Sequence, residues 1–249
     1  MGETADGQEL PRILFTRPNL FELRQGGNLK LANLLVDGEL APDSVGNSML
    51  RTTSYPIQSN MRVELDGVTV RDLAVNKSFN VLTMGKSAFA NSISVRNSNF
   101  VNISGMILSA ASETEDFGQY NVEYLDITDS NFASIGGPIA DVYRGGRDES
   151  TFGPNVAIRN NNLYEVGLAA TNTGGGSIHL HGVQIADIAN NNVASSAPFR
   201  VVHTVGTPST KIQNNLFADT PDLVLEELIF EGPHRASLEG NEFAPGDAE

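Results

Sequence analysis

Ile127-Thr128-Asp129-Ser130-Asn131-Phe132 is the stretch whose reading decides the fold. It runs from an apolar residue through any residue to Asn, Asp or Gly, then two variable and mostly polar residues, then an apolar or aromatic residue. Eight copies occur, starting at Leu31, Leu65, Val95, Ile127, Ile158, Ile188, Ile212 and Leu238. Successive starts lie 34, 30, 32, 31, 30, 24 and 26 residues apart. Repetition at this period marks a stack of similar units, each burying its apolar positions against the next.

The residues around the hexamer define the unit. In Leu125-Asp126-Ile127-Thr128 and Val156-Ala157-Ile158-Arg159, larger apolar residues alternate with polar or small ones, the period of a strand with one buried face. Helical spacing is not seen. The third hexamer position holds Asn33, Gly67, Asn97, Asp129, Asn160, Asn190, Asn214 and Gly240, residue types that tolerate the left-handed conformation of a tight bend. The closing residues, Val36, Val70, Phe100, Phe132, Leu163, Val193, Phe217 and Phe243, then point back inward and stack in one column. This is the signature of an all-β fold, a right-handed parallel β-helix of about eight coils. At roughly 4.8 Å per coil it makes a rod about 38 Å long.

The repeat runs unbroken from Leu31 to Phe243 through a chain of 249 residues, which argues for one solenoid over residues 13–249 behind a loose segment 1–12. Ile13-Leu14-Phe15 and Leu20-Phe21-Glu22-Leu23 read as strands entering the first coil, and no amphipathic helix precedes them to cap the open end. The expectation is therefore a fragment lacking an upstream β-helix. The absence of cysteine excludes disulfides and thiolate metal sites, and leaves the compartment undecided. A net charge of -14 argues against nucleic acid and an anionic membrane as partners. No apolar run reaches the length of a transmembrane span, and the acidic start Met1-Gly2-Glu3-Thr4-Ala5-Asp6 is not a signal peptide. The expected location is periplasmic or secreted only where a signal peptide precedes this chain.

Between the hexamers lie second strands: Phe79-Leu82, Gly105-Leu108, Ile139-Tyr143, Ser177-His181, Phe199-His203 and Leu223-Glu226. They hold the most concentrated chemistry. His179, His181 and His203 fall on two consecutive coils that follow the coil of Tyr143 and Arg144, and Arg200 lies close by. In one reading these six residues form a surface for an acidic sugar. Arg144 and Arg200 pair with carboxylates there, and a histidine or Tyr143 exchanges protons. In the other they are a polar ladder holding loops to the rod. Arg144 and His181 are expected to share a groove beside the loop from Gly145 to Pro154.

Weaker candidates are Glu113-x-Glu115-Asp116, either a set of oxygen donors for calcium or a solvated acidic loop, and Arg144-Gly145-Gly146-Arg147-Asp148-Glu149, either an anion nest or a turn closed by ion pairs. The runs Asn160-Asn161-Asn162 and Asn190-Asn191-Asn192 read as structural corners. No nucleophile elbow, phosphate loop or zinc motif occurs, and no metal ligand is assigned in this chain.

Val142-Tyr143-Arg144-Gly145-Gly146, Asp148-Glu149-Ser150-Thr151-Phe152-Gly153-Pro154, Leu180-His181-Gly182-Val183-Gln184 and His203-Thr204-Val205-Gly206 occur in that order on a β-helix pattern. Together they resemble the carboxy-terminal half of alginate lyases of polysaccharide lyase family six, which also includes chondroitinase B. The resemblance implies β-elimination on a uronate polymer. A lysine base, an arginine acid and a calcium ion that neutralises the uronate carboxylate would all lie in an upstream, amino-terminal β-helix. The lysines here are Lys30, Lys77, Lys86 and Lys211, and none occurs in the strands carrying Arg144 or the histidines. Leu180 stands where the family has the arginine of an Arg-His-Gly segment. The expectation is thus a β-helix that supports the catalytic half and helps hold an acidic, alginate-like polysaccharide. The rivals are a self-sufficient lyase using Arg144 and His181, and a structural or adhesive solenoid without a ligand.

Overall fold

The computed structural model describes residues 9–24, 27–44, 46–52, 58–76, 78–113, 119–145, 153–227 and 234–244. They form a parallel β-solenoid of about seven turns, and the described residues contain no helix. Each turn begins with a strand, bends sharply at the third hexamer position, continues as a second strand, and returns through a third. In the central turn these are Val122–Thr128, Asn131–Ile135 and Ala140–Tyr143. The first two kinds of strand belong to one 15-stranded sheet, joined through the long strand Gln58–Leu73; the third kind forms an 8-stranded sheet.

Every third-position residue has a positive φ, from 50° at Asn33 and Asn97 to 71° at Gly240. At two of these corners the glycine sits close under the asparagine side chain of the preceding coil. A Cβ at Gly67 would lie 2.5 Å from Asn33 Oδ1, and one at Gly240 2.2 Å from Asn214 Oδ1. The corner turns the closing residue inward, and the register stacks it coil on coil: Val36↔Val70, Val70↔Phe100, Phe100↔Phe132, Phe132↔Leu163, Leu163↔Val193 and Val193↔Phe217. All of these are buried, and the Phe100 and Phe132 rings lie parallel with centroids 5.1 Å apart. Phe243 continues the column by stacking on Phe217, yet it is 47% exposed.

The fourth hexamer position, read from sequence as variable, is a buried ladder. The Ser98 hydroxyl accepts from Val68 N–H, Ser130 from Ser98 N–H, and Asn161 Oδ1 from Ser130 N–H. Below them Asn161, Asn191, Asn215 and Asn241 chain amide to amide, and each also donates to the carbonyl of a coil above: Ile127, Ile158, Ile188 and Ile212. The bend breaks strand pairing at this point, and these side chains satisfy the backbone groups it frees. The triple-asparagine runs are corners, as expected, with a separate task for each residue. Asn160 takes the left-handed turn, Asn161 the buried ladder, and Asn162 an exposed ladder with Asn131 and Asn192.

A second left-handed column was not read from the sequence. Asp72, Asn102, Ser134, Glu165, Ser195 and Asp219 all have φ between 46° and 58°, although none is glycine. Side-chain bonds tie them in pairs: Asn102 to Asp72, Ser134 to Glu165, and Ser195 to Asp219. The strand expected over Gly105–Leu108 starts only at Leu108 and runs to Ala110. Gly105 is pressed against Phe79, whose carbonyl oxygen would lie 2.6 Å from a Cβ there.

Candidate functional site

The smaller sheet positions the candidate residues by strict alternation. In Ala140–Tyr143, Ile178–His181 and Phe199–His203 the register pairs Val142 with Leu180 and Leu180 with Val201, all buried in the core. The intervening residues therefore face out in two adjacent columns, one running Asp141, His179, Arg200 and the other Tyr143 and His181, with Val202 next in the register but buried. Four of the six sequence-predicted residues, Tyr143, His179, His181 and Arg200, converge on this face.

The other two do not: Arg144 corrects the expected groove with His181, and His203 the expected six-residue surface. Arg144 is 1% exposed. Tyr143 already points outward, so the next residue turns under the surface, where Arg144 Nη1 reaches Val205 O at 3.5 Å and its N–H donates to His181 O. His203 follows Phe199 and Val201 on the inward side and is fully buried, with Nε2 2.8 Å from Thr210 Oγ1. Of the loop from Gly145 to Pro154, residues 146–152 lie outside the described residues, as do Glu115 and Asp116. Glu113 is buried and accepts a hydrogen bond from Ser87 N–H.

Within the converged set, the Tyr143 and His181 rings stack face to face, with centroids 4.2 Å apart and planes within 6°. Burial, then the positive charge of His179 and Arg200, pushes the His181 imidazole down to about 4, against the opposing pull of Asp141 and Glu226. It is therefore neutral near pH 7. His179 Nδ1 lies 2.9 Å from Asp141 Oδ1. Arg200 donates through Nη1 to Gly174 O at 2.9 Å and through Nη2 to Glu226 Oε1 at 3.2 Å. Further along the face Arg51 donates to Glu22 at 3.3 Å. Asp141, Glu226 and the Gly174 loop were missed because nothing in the local pattern marks them; only the register sets them beside the histidines. The face offers a stacked pair of aromatic rings beside guanidinium groups that are already ion-paired.

The motif glycines build this region. A Cβ at Gly182, φ 70°, would lie 2.7 Å from Arg144 O, and one at Gly206, φ 93°, 2.3 Å from Gln184 Oε1. Gln184 in turn donates to Gly182 O and Val205 O and accepts from Thr207 N–H. A separate shallow groove of about 730 Å³ runs along the second left-handed column, lined by Asn102, Ser134, Glu165, Leu168 and Ser195 among others.

Fold and face together define a parallel β-solenoid with an aromatic and charged outer sheet. Its likeness to solved structures is more specific. The chain is similar to a PL6 family alginate lyase, AlyGC, with 40% sequence identity and a TM-score of 0.88 over 93% of this chain. A mutant of that enzyme gives a TM-score of 0.91 at the same identity and coverage. The protein is thus a PL6-like β-helix, as the sequence motifs implied. It spans 32% of the AlyGC chain. No protein-family model and no curated protein sequence matches it.

Proposed function

We propose that this chain is the non-catalytic β-helix of an alginate-type polysaccharide lyase, packed against a separate catalytic β-helix, with the outward face of its smaller sheet helping to hold the acidic polysaccharide. The observation that carries the reading is a likeness covering nearly all of this chain but only 32% of the alginate lyase it resembles. The side chains support the division of labour. β-Elimination requires a base strong enough to take the proton next to the uronate carboxylate. Among the described residues the strands of the smaller sheet carry no lysine, and His181, pushed down to about 4, is a weak base near neutrality. Lys30 is bonded to Glu64 at 2.7 Å on the larger sheet, where Lys211 is register neighbour to Asp187. The base and acid are assigned to the other β-helix.

The calcium that the resemblance implies goes there too. Calcium takes six to eight oxygen ligands. Among the described residues the one cluster of three candidate ligands contains two imidazoles, a poor match. On this chain Tyr143 and His181 would lie against sugar rings, and Arg200 would exchange Glu226 for a uronate carboxylate.

Alginate oligomers titrated calorimetrically into the wild type, His181→Ala and Arg200→Ala at low and high salt test the binding role. Affinity is expected to fall with salt and to fall several-fold in both variants. Equal affinity throughout would return the face to a structural ladder. In a parallel ultraviolet assay the chain alone is expected to form no unsaturated product. Product formation abolished by His181→Ala would establish a self-sufficient lyase instead.

A further inference from the structure

His203, Glu227 and His234 meet at the end of the smaller sheet, away from the outward face. Glu227 is the register neighbour of His203 on the next coil, and His234 precedes the strand Arg235–Ser237. One ligand atom from each lies within 4.8 Å of the others. The two rings meet edge to face, with centroids 5.4 Å apart and planes at 81°. His203 is fully buried, and its Nδ1 has no hydrogen-bond partner, while Nε2 is engaged by Thr210 Oγ1 at 2.8 Å.

An orphaned imidazole nitrogen in the interior is costly unless something occupies it. Donation of the Nε2 proton to Thr210 leaves the Nδ1 lone pair to coordinate, which is how a metal-bound histidine is oriented by a neighbour outside the coordination shell.

We infer that His203 Nδ1, a Glu227 carboxylate oxygen and one His234 ring nitrogen form a binding site for a borderline divalent metal ion, best represented by zinc, with water completing a tetrahedron. Two imidazoles and one carboxylate suit zinc and disfavour calcium. The ligands come from successive coils, so the ion ties the coil of Glu227 and His234 to the coil of His203. The inference is independent of the polysaccharide reading.

The test uses the whole chain, stripped with a chelator and desalted, then titrated with Zn²⁺ at pH 7.5 against a chromophoric competitor, with Co²⁺ absorption recorded in parallel. The expected result is one equivalent bound and a rise in thermal midpoint with metal. Glu227→Gln and His234→Ala are expected to bind at least about tenfold more weakly. Both change side chains that reach the surface, and circular dichroism verifies that the variants fold. His179→Ala should bind as the wild type does, and excess Ca²⁺ should not displace the zinc. Absence of stoichiometric binding would overturn the assignment. So would unchanged affinity in both ligand variants, loss of binding in His179→Ala, or displacement by calcium.

Discussion

Replacing Asn191 by alanine tests whether the buried amide ladder, and not the hydrophobic column alone, sets the stability of the solenoid. Asn191 is fully buried and makes four side-chain hydrogen bonds: Oδ1 accepts from the Asn161 N–H and Nδ2, both at 3.0 Å, and Nδ2 donates to Ile158 O and Asn215 Oδ1, both at 2.9 Å. After Asn191→Ala, Asn215 Oδ1 still accepts from the residue 191 N–H, and Asn161 Nδ2 still donates to Ile127 O. The Asn161 N–H loses its acceptor in a site closed to water. One orphaned buried donor costs about 1–3 kcal/mol, and the remaining lost bonds bring the expected total to about 2–4 kcal/mol. Asn162→Ala is the control, because its amide bonds to Asn131 and Asn192 are exposed and water replaces them, at a cost of about 0.5 kcal/mol or less. Guanidinium unfolding followed by far-ultraviolet circular dichroism reads both variants on the same transition. A loss within about 0.5 kcal/mol of the wild type for Asn191→Ala, or equal losses in the two variants, would refute the reasoning.

In the apolar column, Phe132→Ala should cost about 3–5 kcal/mol, whereas Phe243→Ala, at the half-exposed end, should cost under about 1 kcal/mol; equal costs would mean that the stacking register is wrong. The His181 imidazole should titrate near 4 by NMR, and Tyr143→Ala, which uncovers the ring, should raise that value toward 6.5; an unmoved value would remove burial as the cause. Because this pKa is lowered on folding, the unfolded chain binds the proton more readily. The stability tied to a neutral His181 is therefore fully present above about pH 6.5, declines as pH falls, and is gone below about pH 4. His181→Phe, which keeps a flat ring but cannot titrate, should flatten the dependence of the unfolding midpoint over that window; an unchanged slope would place the effect in other groups.

The hexamer made the first corner and the main inward column readable, because both depend on one residue each. A left-handed bend selects Asn, Asp or Gly, and a closed interior selects Val, Leu or Phe. Period-two alternation likewise showed that His179 and His181 share a face. The second corner, at Asp72, Asn102, Ser134, Glu165, Ser195 and Asp219, carried only a broken mark, since three of its residues are Ser or Glu and bonds between coils tie them to their neighbours. The same limit explains the split of the candidate site. Six polar residues on neighbouring strands looked alike in the sequence. Arg144 turns under Tyr143, and His203 turns into the core, by positions in the strand that only the parallel register fixes.

Local conformational preference is encoded residue by residue, so the sequence alone determined the β-helix, its period, its corner residues and its likeness to a lyase family. Register neighbours on adjacent coils lie 21 to 38 positions apart, set by loops of unequal length. Only the tertiary structure could therefore decide that Asp141 meets His179, that Tyr143 stacks on His181, and that Glu227 and His234 meet His203.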